Sequence, residues 1–196
     1  MEYNIKITDE EFNKCKEFAE VSARTQRPNR SGGVEKRNLP KIIVDTFRGK
    51  VGEVVIKRFL EQAPLNVLGI ELDFKIYPRG VWDRCDITLN GIKLSVKSAK
   101  HFSHWLLLES KDVARGEVYD YYILVLIDED YKGGRIKGFA FKNEIIIQNP
   151  NTLLLKQGDC IPGTQTELDA DNHGRREQYL HNTEEDWVAL ANKLKP

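Results

Sequence analysis

The stretch that decides the fold is Arg84–Lys97, which reads RCDITLNGIKLSVK. Asn90-Gly91 stands between two runs that alternate apolar and polar residues, a pattern that predicts a β-hairpin closed by a two-residue type I′ turn. Such a turn fixes the pairing of the strands and places Asp86 opposite Ser95 on one face. Lys97 follows on the same face, while the intervening apolar residues point into a core.

This register predicts a carboxylate, a hydroxyl and an ammonium together on one rigid face. Carboxylate oxygen is a preferred ligand of Mg²⁺, and an ammonium can stabilise charge that develops on a reacting phosphate. The face therefore has the residue types of a phosphodiester-cleaving site. The same pattern is also typical of the solvated face of an amphipathic hairpin, and both interpretations stay open at this point.

The rest of the chain predicts helices and short strands packed in one α/β domain. Capping boxes at Thr8 and Thr183 precede helical repeats over residues 9–23 and after Thr183, and a long helix is expected over 41–62. Strand character occurs in residues 74–77, 84–89, 92–96, 105–108, 121–127 and 136–141, with a short helix over 111–118. We expect a mixed central sheet flanked by helices, with the fully apolar strand 121–127 in its middle.

Three parts are distinguished within this single domain. The core is expected over residues 41–147, an N-terminal helix and a basic loop over 1–40, and a loop-rich segment with a last helix over 148–196. The tail over 149–182 is rich in Asn, Gly, Asp and Gln and predicts mainly loop.

Glu53 is the second feature that points to a site. It lies near the apolar stripe of the long helix, where a carboxylate needs a partner because burying it alone is costly. A metal shared with Asp86 would supply one, and so would a salt bridge to Lys57 or Arg58. Gly49 and Gly52 weaken the middle of the same helix, which indicates a close approach to another backbone or to a ligand.

These residues resemble the PD-(D/E)XK nuclease superfamily, the fold of type II restriction endonucleases and archaeal Holliday-junction resolvases. The matching pieces are Gly52-Glu53 in a long helix, Cys85-Asp86 on a strand, and Ser95-Val96-Lys97 on the next strand. The resemblance covers residues 45–127. It implies a restriction-endonuclease-like fold with Glu53, Asp86 and the Val96 carbonyl as Mg²⁺ ligands and Lys97 as the catalytic lysine.

The chain departs from that pattern at two positions. Cys85 replaces the usual proline, which is of little consequence. Ser95 replaces the second acid, and a neutral hydroxyl is a poorer magnesium ligand. Either Glu53 supplies the missing charge, or Glu109 or Asp83 does so from elsewhere, or metal binding is weak; Glu53 is preferred because the register turns Asp83 to the opposite face.

Composition limits the partners. The 196 residues include 30 basic and 30 acidic side chains, so any surface that attracts DNA must be local. Three dispersed cysteines without a C-x-x-C pair indicate a reduced, cytoplasmic compartment and no structural zinc. No apolar run approaches the roughly 20 residues of a membrane span, and no glycine-rich nucleotide motif occurs. We therefore expect neither a membrane nor a nucleotide cofactor.

The expected partner is double-stranded DNA. A basic loop over residues 24–41 could contact phosphates, or it could be a solvated linker. Together with the loop over 149–182 it could read bases in a homodimer that cuts a palindromic site as a type II restriction enzyme. Two alternatives remain, a structure-selective nuclease such as a junction resolvase and a DNA-binding module on a decayed nuclease fold. The predicted DNA-contacting residues are Arg27, Arg30, Lys36, Arg37 and Lys100.

Overall fold

The computed structural model describes residues 2–25, 37–78, 85–116 and 119–196. In chain order the elements are β1 Tyr3–Lys6, α1 Asp9–Ser22, α2 Leu39–Glu61, β2 Ile87–Leu89, β3 Ile92–Lys100, β4 Trp105–Glu109, α3 Ser110–Ala114, β5 Tyr121–Ile127, β6 Gly133–Phe141, α4 Lys142–Ile146, β7 Thr152–Leu155, β8 Asn172–Arg176 and α5 Glu184–Leu194.

Within the described residues, a five-stranded sheet in the order β1-β6-β5-β3-β2 forms the centre of the fold. β3 and β5 are parallel, while the other neighbours are antiparallel. All seven residues of β5 are buried, because a strand this apolar needs a packed layer on each face. The mixed α/β fold and the central position of residues 121–127 are therefore confirmed.

Each face of this sheet packs on a different layer. One face carries alternate residues of β3 and β5 and packs against α1, α2 and α5. The other face, which carries Tyr122, Leu124 and Leu126 of β5, packs against Leu106 and Leu108 of β4. Because side chains alternate along a strand, Ser95 and Lys97 of β3 belong to this second face.

The described chain also forms a three-stranded sheet in the order β4-β8-β7. β4 pairs antiparallel with β8, so that Leu107 lies opposite Gly174 and Glu109 opposite Asn172. Most of residues 149–182 lie outside helices and strands, as predicted, but the strands β7 and β8 within this segment were not expected. The polar sequence of β8 has little strand propensity, and it becomes a strand because it lies between two pairing partners.

Local sequence signals predicted the first residues of two helices correctly. The Thr8 side chain accepts a hydrogen bond from the Glu11 amide at 3.2 Å, and the Thr183 side chain accepts one from the Asp186 amide at 3.1 Å. Both predicted capping boxes are thus confirmed. α2 begins after Asn38, whose side chain caps it.

Other predicted elements differ from the structure. Residues 74–77 form no strand, and β1 and α4 were not predicted. Residues 74–77 instead run alongside α1, where Phe18 and Phe74 meet edge to face with ring centroids 5.5 Å apart. Their apolar side chains are therefore used in packing without strand pairing. α3 ends at Ala114, short of the predicted limit at 118.

Candidate functional site

The β2–β3 hairpin has the predicted register. Leu89 pairs with Ile92 and Ile87 with Leu94, and the turn residues Asn90-Gly91 have φ angles of 48° and 75°. Positive φ at both positions is what a type I′ turn requires. The local geometry that aligns the candidate residues on β3 is therefore set by two adjacent turn residues.

Asp86 lies just before β2 and is hydrogen-bonded to the neighbouring strand β3. Its Oδ2 accepts a hydrogen bond of 2.6 Å from the Val96 amide. The N–H and C=O of one strand residue point to the same side of the strand, so the Val96 carbonyl faces the edge on which Asp86 lies. Asp86 and Val96, two of the three expected metal ligands, are therefore neighbours.

β3 continues beyond its partner β2. β2 pairs with β3 only as far as Leu94, and in the described part of the chain Val96–Lys100 pair on one side alone, with β5. We call this segment the free edge of β3. The backbone groups of Val96, Ser98 and Lys100 point outward there, because alternate residues of a strand direct their polar groups to the same side.

A cleft of about 330 Å³ lies along the free edge, and Val96, Lys97, Ser98 and Ala99 all line it. Lys97 is half-buried there, and its ammonium makes no hydrogen bond or ion pair with any residue that the structure describes. The other sides of the cleft combine apolar residues, among them Trp105 and Leu107, with charged ones. Its further charged lining residues are Asp45, Arg48, Glu109, Asp112 and Asp169.

Some of these charges are already balanced. Asp45 lies 3.2 Å from Arg37 and 3.5 Å from Arg48, and Glu109 lies 2.9 Å from Lys111. Lys97 therefore faces a mainly acidic wall without a direct ion pair. A phosphate group would be repelled by this wall unless a cation accompanied it.

Glu53 is placed differently from its expected role. It is 8% exposed, and Lys50 Nζ donates a 2.6 Å hydrogen bond to its Oε2. Lys50 also donates to the Asp73 carbonyl at 2.8 Å. Burial, and then the negative charge of Glu53, raises the pKa of the Cys15 thiol to about 12, which places the carboxylate near α1. Glu53 does not line the cleft.

The partner of Glu53 is therefore neither of those considered from the sequence. Lys57 lies 3.5 Å from Glu61, and Arg58 lies 2.7 Å from Glu11 of α1. Lys50 precedes Glu53 by one helical turn and is 5% exposed. A buried carboxylate with a buried ammonium beside it needs no metal to compensate its charge.

Ser95 is also outside the cleft. It is 2% exposed and pairs with Tyr122 of β5, whose side chain is fully buried. Of the residues predicted for the site, Val96 and Lys97 line the cleft, whereas Asp86 is bonded to Val96 but is not among the lining residues, and Ser95 and Glu53 lie in the interior. Among the described residues, no three His, Cys, Asp or Glu side chains converge as a metal-binding group.

The two glycines of α2 have separate surroundings. A Cβ at Gly52 would overlap Ser98 Oγ and lie 3.1 Å from Ser98 Cβ, so the expected close approach is confirmed there. A Cβ at Gly49 would meet nothing within 4 Å. Gly49 instead lines the cleft, and its carbonyl accepts a 3.4 Å hydrogen bond from Ser98 Oγ.

The predicted DNA-contacting residues are only partly described. Arg27, Arg30 and Lys36 lie outside the described residues. Arg37 has a side chain only 9% exposed and pairs with Asp45 near the cleft. Lys100 is exposed at the end of the free edge, with Nζ 5.7 Å from the centroid of the Phe102 ring.

Sequence reasoning missed most of the acidic wall. Glu109 was considered as a source of the missing charge, and it does line the cleft with Lys97. The sequence did not link Asp45, Asp112 and Asp169 to this site, because they come from three segments that only the tertiary structure brings together. No spacing in the sequence links these three residues.

No known protein family, curated protein or solved structure matches this chain. In the described part of the chain, no helix has both the length and the apolar character that crossing a membrane requires.

Proposed function

We propose that this protein is a Mg²⁺-dependent endonuclease that hydrolyses phosphodiester bonds of double-stranded DNA, as a homodimeric, site-specific type II restriction enzyme. The observation that carries the proposal is the position of Lys97. It lines a cleft along the free edge of β3 with no ion-pair partner among the residues that the structure describes, next to the residue bonded to Asp86.

The oxygen donors at this edge fit a hard divalent cation. Asp86 and the Val96 carbonyl would hold the metal, and Glu109 is the proposed source of the second negative charge, since it lines the cleft and Glu53 does not. Mg²⁺ takes one or two carboxylates together with water and substrate phosphate. When bound, it would polarise the phosphoryl oxygen and lower the pKa of a bound water.

Lys97 would act on the scissile phosphate directly. Its ammonium can donate to a non-bridging phosphate oxygen and stabilise the charge that develops there in the transition state. Leu107 and Trp105 line the same cleft, and such apolar groups reduce competition from water for these hydrogen bonds. The hairpin would keep the lysine in position, since β3 pairs on both sides just before the free edge.

Recognition of a sequence would come from segments around this cleft. Lys100 is the described basic residue proposed to contact phosphates, because Arg37 is largely buried and paired with Asp45, and the loops over 24–41 and 149–182 are proposed to read bases. Leu168, Asp169 and Asn172 line the cleft, so the second loop reaches the proposed site. Two-fold symmetry in a homodimer would make the DNA site palindromic.

The direct test is cleavage of plasmid DNA in Mg²⁺ by the wild-type chain and by Lys97→Ala. We expect wild-type cleavage and a loss of at least about two orders of magnitude in the variant, the scale of one transition-state contact. Lys93→Ala is the matched control, since Lys93 is an exposed lysine on the same strand and face, and it should retain activity. Equal cleavage by wild type and Lys97→Ala would refute the role of Lys97.

Sequencing the fragment ends separates two nuclease classes. Ends at one fixed palindromic sequence support a restriction enzyme. Cleavage confined to branched DNA, without a fixed sequence, supports a junction resolvase instead. Both outcomes leave the proposed use of Asp86 and Lys97 unchanged.

A second candidate function is a DNA-binding module without nuclease activity. The pairing of Glu53 with Lys50 and the burial of Ser95 favour it, because they remove two expected contributors to the site. This candidate predicts DNA binding by the wild-type chain without cleavage in Mg²⁺ or Mn²⁺. An electrophoretic mobility shift measured beside the cleavage assay distinguishes the two candidates.

A further inference from the structure

β1 forms the outer edge of the main sheet, far along the strand order from the free edge of β3. Among the described residues it pairs only with β6. Ile7 continues this pairing by donating its amide to the Lys132 carbonyl at 3.1 Å. Because polar groups alternate along an antiparallel strand, the N–H and C=O of Asn4 and Lys6 point away from β6. β1 therefore offers backbone groups for one further strand.

A cavity of about 340 Å³ lies beside this edge, and Asn4 is among its lining residues. Its inner wall is aromatic. Phe59 lies 4.6 Å from Tyr3 and 4.9 Å from Trp187, measured between ring centroids. The remaining apolar lining comes from Ile5 and the segment Ala63–Leu65. A side chain with an apolar stem could bury that stem here.

The charged lining residues of the cavity, as far as the structure describes them, are both acidic. They are Glu2 and Glu184, and no lysine or arginine lines the cavity. Burial, followed by the negative charges of Glu184 and Glu185, raises the pKa of Tyr3, so these charges act at the cavity. Glu2 is partly compensated by Arg135 at 3.4 Å, which leaves Glu184 as the stronger attraction.

We propose that β1 binds an extended peptide segment of a partner protein, which adds to the sheet as a strand and places a basic side chain in this cavity. Strand addition obtains affinity from backbone hydrogen bonds and specificity from pockets for alternate side chains. A lysine or arginine fits because its alkyl stem packs on aromatic rings while its charge stays near carboxylates. This surface is separate from the proposed DNA site and does not depend on nuclease activity.

The experiment uses a labelled peptide, acetyl-Thr-Val-Lys-Val-Thr-amide, with the full chain. Binding is followed by fluorescence anisotropy and by NMR of the Asn4 amide and the Trp187 indole N–H. We expect saturable binding with shifts at both positions. The same peptide with glutamate in place of lysine, and one with N-methylated backbone amides, should bind at least about tenfold more weakly because each removes one of the two recognition elements.

Two variants of the chain localise the effect. Asn4→Pro removes an outward-facing N–H at an edge position that tolerates proline, and it should weaken binding at least about tenfold with an unchanged unfolding transition. Glu184→Gln should weaken binding about two- to fivefold, the scale of one exposed charge pair. Glu10→Gln makes the same change in the first turn of α1 and should have no effect.

Two outcomes overturn the proposal. One is the absence of shifts at Asn4 and Trp187 with every peptide. The other is equal binding of the isolated cation N-acetyl-lysine-methylamide and of the full peptide, which would identify a cation pocket without strand addition.

Discussion

Two regions of the molecule each contain a lysine and a carboxylate, and their environments are opposite. On α2, Lys50 and Glu53 are both buried, and Lys50 Nζ lies 2.6 Å from Glu53 Oε2. At the free edge of β3, Lys97 lines a cleft without an ion pair among the described residues, and Asp86 is bonded to a backbone amide. The first lysine has its charge matched inside the protein, and the second does not.

This difference separates one residue of the predicted motif, which is paired in the interior, from another, which lines a cleft. A buried ion pair with further hydrogen bonds mainly preserves the fold, because removing one partner leaves the other charged and unsolvated. A lysine without a direct ion pair in a cleft can bind an anionic ligand when a cation offsets the acidic residues around it. Variants at both regions test this contrast.

The largest expected effect is on stability, from Glu53→Ala. It leaves the Lys50 ammonium buried without its carboxylate, so we expect a loss of about 3–5 kcal/mol in the free energy of unfolding. Chemical denaturation followed by circular dichroism measures it. Glu61→Ala removes a half-exposed partner of Lys57 on the same helix and should cost less than about 1 kcal/mol. Equal costs for both variants would show that the interior pair is not structural.

The next effect is on activity, from Asp86→Ala. We expect cleavage to fall by at least about two orders of magnitude, while DNA binding in Ca²⁺ persists. Because Asp86 also accepts the Val96 amide, stability should fall by about 1–3 kcal/mol. Mobility shifts in Ca²⁺ and cleavage in Mg²⁺ are measured on the same preparation. A variant that unfolds at room temperature would make Asp86 a structural residue like Glu53.

Gly52→Ala tests the contact between α2, which carries Lys50 and Glu53, and β3, which carries Lys97. The new Cβ would overlap Ser98 Oγ, and overpacking of about 1–3 kcal/mol exceeds the helix propensity gained, about 1 kcal/mol. We expect a net loss of up to about 2 kcal/mol in the free energy of unfolding, much reduced when Ser98→Ala is added. Gly49→Ala, with open space around it, should stabilise the chain slightly. Stabilisation by both alanines would disprove the close contact.

The smallest effect concerns the segment that supports Lys50. Burial disfavours ionised Asp73, but hydrogen bonds from the Tyr77 hydroxyl and the Lys75 amide outweigh it and lower the pKa of this carboxyl. A depressed folded-state pKa gives stability that is present above the unfolded-state value, about 3.9, and is lost as the pH falls through the folded-state pKa. Tyr77→Phe should therefore cost about 1 kcal/mol at pH 7 and progressively less below pH 4.

The control for Tyr77→Phe is a comparison of its effect at two pH values. Unfolding free energies of wild type and Tyr77→Phe are compared at pH 7 and again in acid, below the pKa of the unfolded carboxyl. A difference that stays the same at both pH values would mean that the hydroxyl does not act through the Asp73 carboxylate.

Much of the fold could be predicted where a few adjacent residues decide the structure. Asn90-Gly91 fixed the hairpin register, the capping boxes at Thr8 and Thr183 fixed two helix starts, and the apolar run 121–127 fixed the central strand. The failures have a different origin. β8 carries little strand propensity of its own, and its pairing with β4 and β7 depends on distant parts of the chain.

The candidate site divides in the same way. Asp86, Val96 and Lys97 could be grouped from the hairpin alone, since their spacing is local. The sequence analysis considered Lys57 and Arg58 as partners of Glu53, but Lys50 has an equally suitable helical spacing, and only tertiary packing distinguishes Lys50 from Lys57. The acidic residues of the cleft could not be grouped from the sequence either, because they come from distant segments of the chain.

The pairing of β4 with β8 also determines when the cleft can exist. Chains leave the ribosome N-terminus first, so the hairpin can form long before residues 172–176 are synthesised. The wall that includes Asp169 and Asn172 can close only after β8 has aligned with β4. In a nascent chain halted before β8, Lys97 would therefore lie in an incomplete groove. The complete cleft can form only late in translation.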